Sequence, residues 1–249
     1  MKVKPTWLVA TVAFVIYNLI IYIAWFATDA DYLTLTEAGN IGRNIVLPLF
    51  LGAIFLVAIL SYLRWWRPIM TEERRGGPGW TLWVILAIVV AFIVLNVIGT
   101  DWAQITGTHL MFLILAGILV GFNEEALTRG ILIVGARGSM SSETFVWLFS
   151  SLLFGLLHLP NALFGISWFA AVAQVGFAFL AGSGFYLVRR VGGTLLIPMM
   201  LHGAWDFATF SRGASGAEAS TLIHVFQFAT YIASLVLVIL VLRRDARKN

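Results

Sequence analysis

GFNEEALTRG, residues 121 to 130, follows HLMFLILAGILV at 109 to 120 without a break. Two adjacent glutamates and an arginine at that point are either the charged stop of a short apolar span or the charged middle of a longer one. The choice decides the fold. If the helix continues through NEEALTRGILIV, the glutamates are buried; if it stops, they sit in a loop.

The rest of the chain sets the terms. It has 249 residues, 60% of them hydrophobic and 11% charged, with a mean hydropathy of +0.93. That is outside the range of a soluble globular domain and marks an integral membrane protein. A spanning helix takes about 20 mostly apolar residues. Runs of that kind bounded by charge, Gly or Pro nearly fill the chain: Trp7 to Phe26, Ile45 to Leu63, Trp80 to Ile98, His109 to Phe122 with its apolar continuation, Phe145 to Leu159, Phe164 to Val188, Thr194 to Phe210 and Leu222 to Leu242. The fold class expected is therefore all-α, a polytopic membrane protein of about eight transmembrane helices. With no convincing repeat or low-complexity tract, 1–249 reads as a single membrane domain. The first run, although preceded by Lys2 and Lys4, exceeds the roughly 7 to 15 residues of a signal-peptide core and reads as a retained anchor.

Basic residues mark cytoplasmic connections. Arg64, Arg67, Arg74 and Arg75 follow span two, Arg129 and Arg137 span four, Arg189 and Arg190 span six, and Arg243, Arg244, Arg247 and Lys248 span eight. The alternate connections carry mainly acids: Asp29, Asp31, Glu37, Asp101 and Glu218. Both termini are thus expected in the cytoplasm, with an even number of spans. The formal charge of +4 is accounted for by these helix-end residues, so no nucleic-acid partner is implied. RWWRPIMTEERRGGPGW at 64 to 80 reads as a polar linker with interfacial tryptophans. The absence of cysteine excludes disulfides, thiolate catalysis and Cys-ligated metal. Lysine occurs only at 2, 4 and 248 against many arginines, a bias that suggests a prokaryotic plasma membrane as the location.

Ionisable side chains inside spans are costly, so each is a candidate functional residue. His109 and His224 stand at helix starts and read as interfacial. The others are Glu124, Glu125, Arg129, His158, His202 and Asp206. Depth tells whether they meet. From a turn centred on ARGSMSS at 136 to 142, a rise of about 1.5 Å per residue puts Glu124 roughly 20 to 25 Å back along one arm and His158 about as far along the other. Span seven enters beside Arg189 and Arg190, which brings His202 and Asp206 to a matching depth on one helix face. Three segments distant in sequence therefore converge on one layer, an active site within the membrane. Glu125 has Arg129 at i+4 as a partner, whereas Glu124 points about 100° away and is the better general base. The set suggests water attacking an amide carbonyl, with His158 sharing protons and His202 and Asp206 at the oxyanion. Two plainer readings use the same residues. A buried Glu–Arg pair also serves as helix-to-helix glue, and the cluster as a whole suits a proton-coupled transporter or a non-catalytic scaffold or immunity protein.

EEALTR at 124 to 129, FGLLH at 154 to 158 and HGAWD at 202 to 206 together resemble the three motifs of the CAAX protease and bacteriocin-processing family, E-E-x-x-x-R, F-x-x-x-H and H-x-x-x-N or -D. The resemblance covers about residues 109–210. It implies a glutamate-dependent intramembrane endopeptidase, like the type II CAAX prenyl endopeptidases, acting on a membrane-associated protein or peptide in the lipid bilayer. It assigns water activation to Glu124 and His158, support to Glu125 and Arg129, and the oxyanion to His202 and Asp206. Prenyl-protein proteases of eukaryotes have Asn where Asp206 stands, and an ionised Asp cannot donate to an oxyanion. Prenylated substrates do not follow from the family. No H-E-x-x-H string occurs, and GASG at 213 to 216, a match to the rhomboid serine motif, lies in a polar loop. Two histidines with two glutamates form a donor set that zinc accepts; the resemblance implies no cofactor, and the residues alone leave zinc open.

Overall fold

The computed structural model describes residues 1–73 and 76–247, so Arg74, Arg75 and Lys248 lie outside the described residues. Everything long in it is helical, and among the described residues the only strand-like pairing is an isolated bridge between Thr71 and Thr194. The helices are α1 Trp7–Thr28, α2 Leu47–Leu63, the short α3 Trp66–Met70, α4 Trp80–Ile98, α5 Gly107–Glu125, α6 Ile133–Arg137, α7 Glu143–Leu156, α8 Trp168–Gly192, α9 Leu196–Ala214 and α10 Thr221–Ala246. Polar caps start most of the long ones: the Thr6, Thr106, Ser142, Ser167 and Ser220 side chains each accept a backbone N–H of the first turn, satisfying donors that hydrocarbon would leave bare.

The opening stretch lies inside a long rod. α5, a π-helical segment Ala126–Leu132 and α6 run on as one 31-residue helix, Gly107–Arg137, about 46 Å long at 1.5 Å per residue. NEEALTRG sits near its middle. The π segment is a departure from the regular helix expected, and every residue in it is buried. Asn123 pins the rod just before the glutamates, its amide donating to the Leu49 carbonyl of α2 at 3.0 Å and the Leu119 carbonyl at 2.7 Å.

Among the described residues seven helical segments are long and apolar enough to cross a membrane. The remaining expected span, Thr194 to Phe210, is α9, equally helical over 19 residues but carrying His202, Asp206 and Arg212, which lower its apolarity. α9 packs along α5 at backbone contact: a Cβ on Gly203 would lie 2.6 Å from the Gly117 carbonyl oxygen, and one on Gly117 2.8 Å from that of Gly203. Small residues at such positions let membrane helices close up.

The connections sort to two ends. Lys2 N–H bonds the Leu63 carbonyl, Trp7 N–H the Ser139 hydroxyl, and Gly77 N–H the Asp245 carboxylate, so both termini share an end with the basic loops. At the other end, Asp101 N–H bonds Ser215, and His109 Nε2 lies 2.8 Å from the Thr36 carbonyl.

Span five holds as a crossing segment, Glu143–Phe164; within it α7 ends at Leu156 and a 3₁₀ turn, Leu159–Phe164, follows His158. One further expectation changes. Segment 64–80 is more than a linker. Trp65 is fully buried and bonds the Val3 carbonyl at 2.9 Å, so it is core rather than interfacial belt. Glu72 reaches Arg137 at 2.6 Å and Arg189 at 3.1 Å, while Arg137 and Arg190 share Glu143. This network clasps the segment onto the ends of α6, α7 and α8.

Candidate active site

Glu125 is the anchor of the site. It is wholly buried, and its Oε1 accepts from Arg129 Nη1 at 2.8 Å and from His202 Nδ1 at 2.8 Å. One oxygen thus ties α5 and the π segment to α9. Arg129, also fully buried, bonds the Thr128 hydroxyl at 2.7 Å, and Thr128 in turn donates to the Glu124 carbonyl at 2.5 Å. The Arg129 Nε and Nη2 have no hydrogen-bond partner. Instead the guanidinium lies over the Phe154 ring at 4.0 Å and near Phe185 at 5.2 Å, a desolvated cation–π arrangement. α8 gives it room with glycine: a Cβ at Gly182 would be 2.6 Å from Nη2.

The same two rings hold the histidines. Phe185 stacks on His202 at 4.6 Å, and Phe154 meets His158 and His202 edge-on at 5.5 and 5.6 Å. Phe154, the first residue of its motif, therefore touches three polar members of the site.

Glu124 faces elsewhere. Its Oε2 is buried without a hydrogen-bond partner, 3.8 Å from His202 Nε2. Asp206 Oδ2 stands 3.6 Å from the same nitrogen. With Nδ1 committed to Glu125, a His202 bearing both protons directs Nε2–H between Glu124 and Asp206. Glu124, His158 and Asp206 line one cavity of about 270 Å³, walled on its other sides by α1 and α2. Glu124 and His158 meet across this cavity rather than by direct contact. His158 Nδ1 is 3.1 Å from the Phe154 carbonyl. A carbonyl only accepts, so Nδ1 carries the hydrogen, and in the neutral ring Nε2 keeps its lone pair.

Several residues of this cavity were not candidates from sequence. The Tyr22 hydroxyl donates to the Leu157 carbonyl, bracing the backbone beside His158. Gln174 accepts from Asn161 at 3.1 Å and donates to the Tyr32 hydroxyl at 2.5 Å. Burial pushes the Tyr32 phenol, in the loop beyond α1, above its ordinary range, so it remains neutral. The available signal was the set Tyr17, Tyr22 and Trp25 of the first span, aromatic residues with polar tips. Among the described residues no three His, Asp or Glu side chains are grouped to hold a metal ion.

Residues 106–208 match the family model described as Type II CAAX prenyl endopeptidase Rce1-like. That range contains all three motifs and every residue of the cluster. No curated protein and no solved structure matches the chain.

Proposed function

Through residues 106–208 the chain belongs to the Rce1-like type II CAAX prenyl endopeptidase family, and from that premise we propose that it is a glutamate-dependent intramembrane endopeptidase. It hydrolyses a peptide bond of a membrane-associated protein or peptide, within the plasma membrane of a prokaryote. The observation that carries the reading is the unpartnered Oε2 of Glu124, buried at a cavity that His158 also lines.

In this mechanism a water enters between the Glu124 carboxylate and the His158 Nε2 lone pair. Glu124 takes one proton as the water oxygen bonds to the scissile carbonyl carbon, and the carbonyl π electrons move to oxygen. His202 Nε2–H faces that oxyanion, held in place by the Glu125 contact at its other nitrogen and oriented by Asp206. The C–N bond then breaks, and the proton on Glu124 passes to the leaving amine. Glu125 and Arg129 position the site without touching substrate.

The test is a peptide library incubated in detergent with purified wild type and Glu124→Gln, with cleavage read by mass spectrometry. Cleavage by wild type alone is the expected result. Equal cleavage by both, or none by either, refutes the proposal.

A further inference from the structure

The proposed mechanism gives the oxyanion one donor, His202 Nε2–H. Donors set in place beforehand are the main stabilisers of such a charge in a water-poor site, so a second one matters. Asp206 does not supply it. Its Oδ2 stands 3.6 Å from the same nitrogen, where it accepts, and a carboxylate has no hydrogen to give.

Most other donors around the Glu124 cavity are already spent. His158 Nδ1–H goes to the Phe154 carbonyl, the Tyr22 hydroxyl to the Leu157 carbonyl and the Asn18 amide to the Phe14 carbonyl. Tyr17 packs its ring on α2, where a Cβ at Gly52 would meet it at 2.6 Å, and among the described residues no hydrogen bond orients its hydroxyl. Tyr32 is different, because both its ring and its oxygen are held. The Asp31 carboxylate accepts the Leu33 N–H at 2.9 Å and so caps the 3₁₀ turn Tyr32–Thr34. Trp25 meets the Tyr32 ring edge-on at 6.1 Å, and Gln174 Nε2 donates to its hydroxyl at 2.5 Å.

The direction of that last bond is fixed one step back. Asn161 gives an amide hydrogen to Gln174 Oε1 at 3.1 Å, so Gln174 turns its nitrogen toward Tyr32. The Tyr32 oxygen is therefore the acceptor of the pair, and its own hydrogen is left over. Among the described residues no group accepts it, and Tyr32 lines the cavity together with Glu124, His158 and Asp206. Burial lifts the phenol above its ordinary range, so the hydrogen is there to give.

We infer that Tyr32 is a further catalytic residue, the second hydrogen-bond donor to the oxyanion. The inference rests on the peptidase reading and extends the site beyond residues 106–208, into the loop after α1. As the water oxygen bonds to the carbonyl carbon, the π electrons move to the carbonyl oxygen, which accepts from His202 Nε2–H and from Tyr32 O–H. Tyr32 keeps its proton throughout. When the C–N bond breaks, the electron pair returns to re-form the carbonyl, and both hydrogen bonds weaken. Asp206 is left to orient His202.

The experiment measures steady-state cleavage of one peptide that wild type cuts, using purified wild type, Tyr32→Phe and Tyr32→Phe/Asp206→Asn in detergent. Tyr32→Phe keeps the ring against Trp25 and removes the hydrogen. Its kcat is expected to fall by about 10²-fold. KM changes by less than roughly threefold, and melting stays close to wild type. Asp206→Asn on that background returns an N–H to the oxyanion, so the double variant is faster than Tyr32→Phe by about tenfold or more. Tyr22→Phe removes a hydroxyl of the same cavity that braces backbone, and Asp206→Asn restores none of the rate it loses. A Tyr32→Phe kcat within about threefold of wild type, a fall carried by KM or by lost stability, a double variant no faster than Tyr32→Phe, or equal rescue of Tyr22→Phe overturns the inference and leaves the peptidase reading standing. A wild type that cleaves nothing overturns both.

Discussion

Glu124 and Glu125 are neighbours in sequence, and swapping each for glutamine separates their roles. Among the described residues Glu125 is the only carboxylate hydrogen-bonded to Arg129, at 2.8 Å with both side chains fully buried, and it also holds His202 at 2.8 Å. Glu125→Gln keeps the shape and removes the charge, which strands a buried guanidinium. Breaking a buried pair from one side costs about 3–5 kcal/mol. At roughly 2–4 °C per kcal/mol for a chain of this size, melting falls by on the order of 10 °C. Glu124 is different. Its Oε2 makes no hydrogen bond, and its ion-pair neighbour is His202 Nε2 at 3.8 Å, so Glu124→Gln changes stability by less than about 1 kcal/mol. On the proposed mechanism its cleavage nevertheless falls by about 10²-fold or more, because the group assigned to take the water proton is gone. Thermal unfolding in detergent, read beside peptide cleavage, gives both numbers on the same preparations. Adding Arg129→Leu to Glu125→Gln recovers part of the lost stability, since the stranded charge leaves with it. Glu125→Gln melting with wild type, or Glu124→Gln falling as far as Glu125→Gln, refutes this division.

Gly203→Val forces α9 off α5, because its Cβ would sit 2.6 Å from the Gly117 carbonyl; melting and cleavage both drop, whereas Gly176→Ala, with nothing within 4 Å of the new Cβ, leaves cleavage intact. Asp206→Asn retains cleavage within about tenfold of wild type, as an orienting residue beside His202 Nε2 should, and Asp206→Leu loses more; initial rates on one library-derived peptide decide. Glu72→Gln loosens the clasp that Arg137 and Arg189 make on segment 64–79, seen as faster limited proteolysis there and a stability loss of about 3 kcal/mol. Adding 1,10-phenanthroline or EDTA leaves the cleavage rate unchanged if the proposed metal-free mechanism holds; a rate lost to chelator and restored by zinc overturns it.

The sequence was readable where one physical rule dominates. Apolar length marks spans Trp7–Thr28 and Trp80–Ile98 to within two residues at their ends, because hydrocarbon leaves little choice. Depth counted from helix rise brings Glu124, His158, His202 and Asp206 to one layer, because rise per residue barely varies. What failed depends on partners far away in sequence. Trp65 reads as a belt residue until Val3 is seen to accept its indole N–H. Glu72 reads as a loop charge until α6 and α8 bring Arg137 and Arg189 to it. The π segment has no local signature in ALTRGIL, where every residue is buried by other helices. The end of α7 is hidden too, although Pro160 two residues past His158 is the mark of a helix about to stop.

The charges at the site explain why the glutamates come as a pair. Three acids stand with two bases in the membrane: Glu125, Arg129 and His202 are buried, and Glu124 and Asp206 are half-buried at the cavity. A cluster built only to glue helices needs equal numbers, since each uncompensated charge in the membrane is a direct cost. Here Glu125 takes the close contacts of both bases on a single oxygen. The excess acid is thereby left to Glu124 and Asp206, which face the outer nitrogen of His202 at 3.8 and 3.6 Å rather than bonding it. Both also line the cavity that His158 shares. The first glutamate is thus available to a water because the second has satisfied the cations. A scaffold gains nothing from that arrangement, whereas a hydrolase needs a carboxylate with an open lone pair at the place where water meets its substrate.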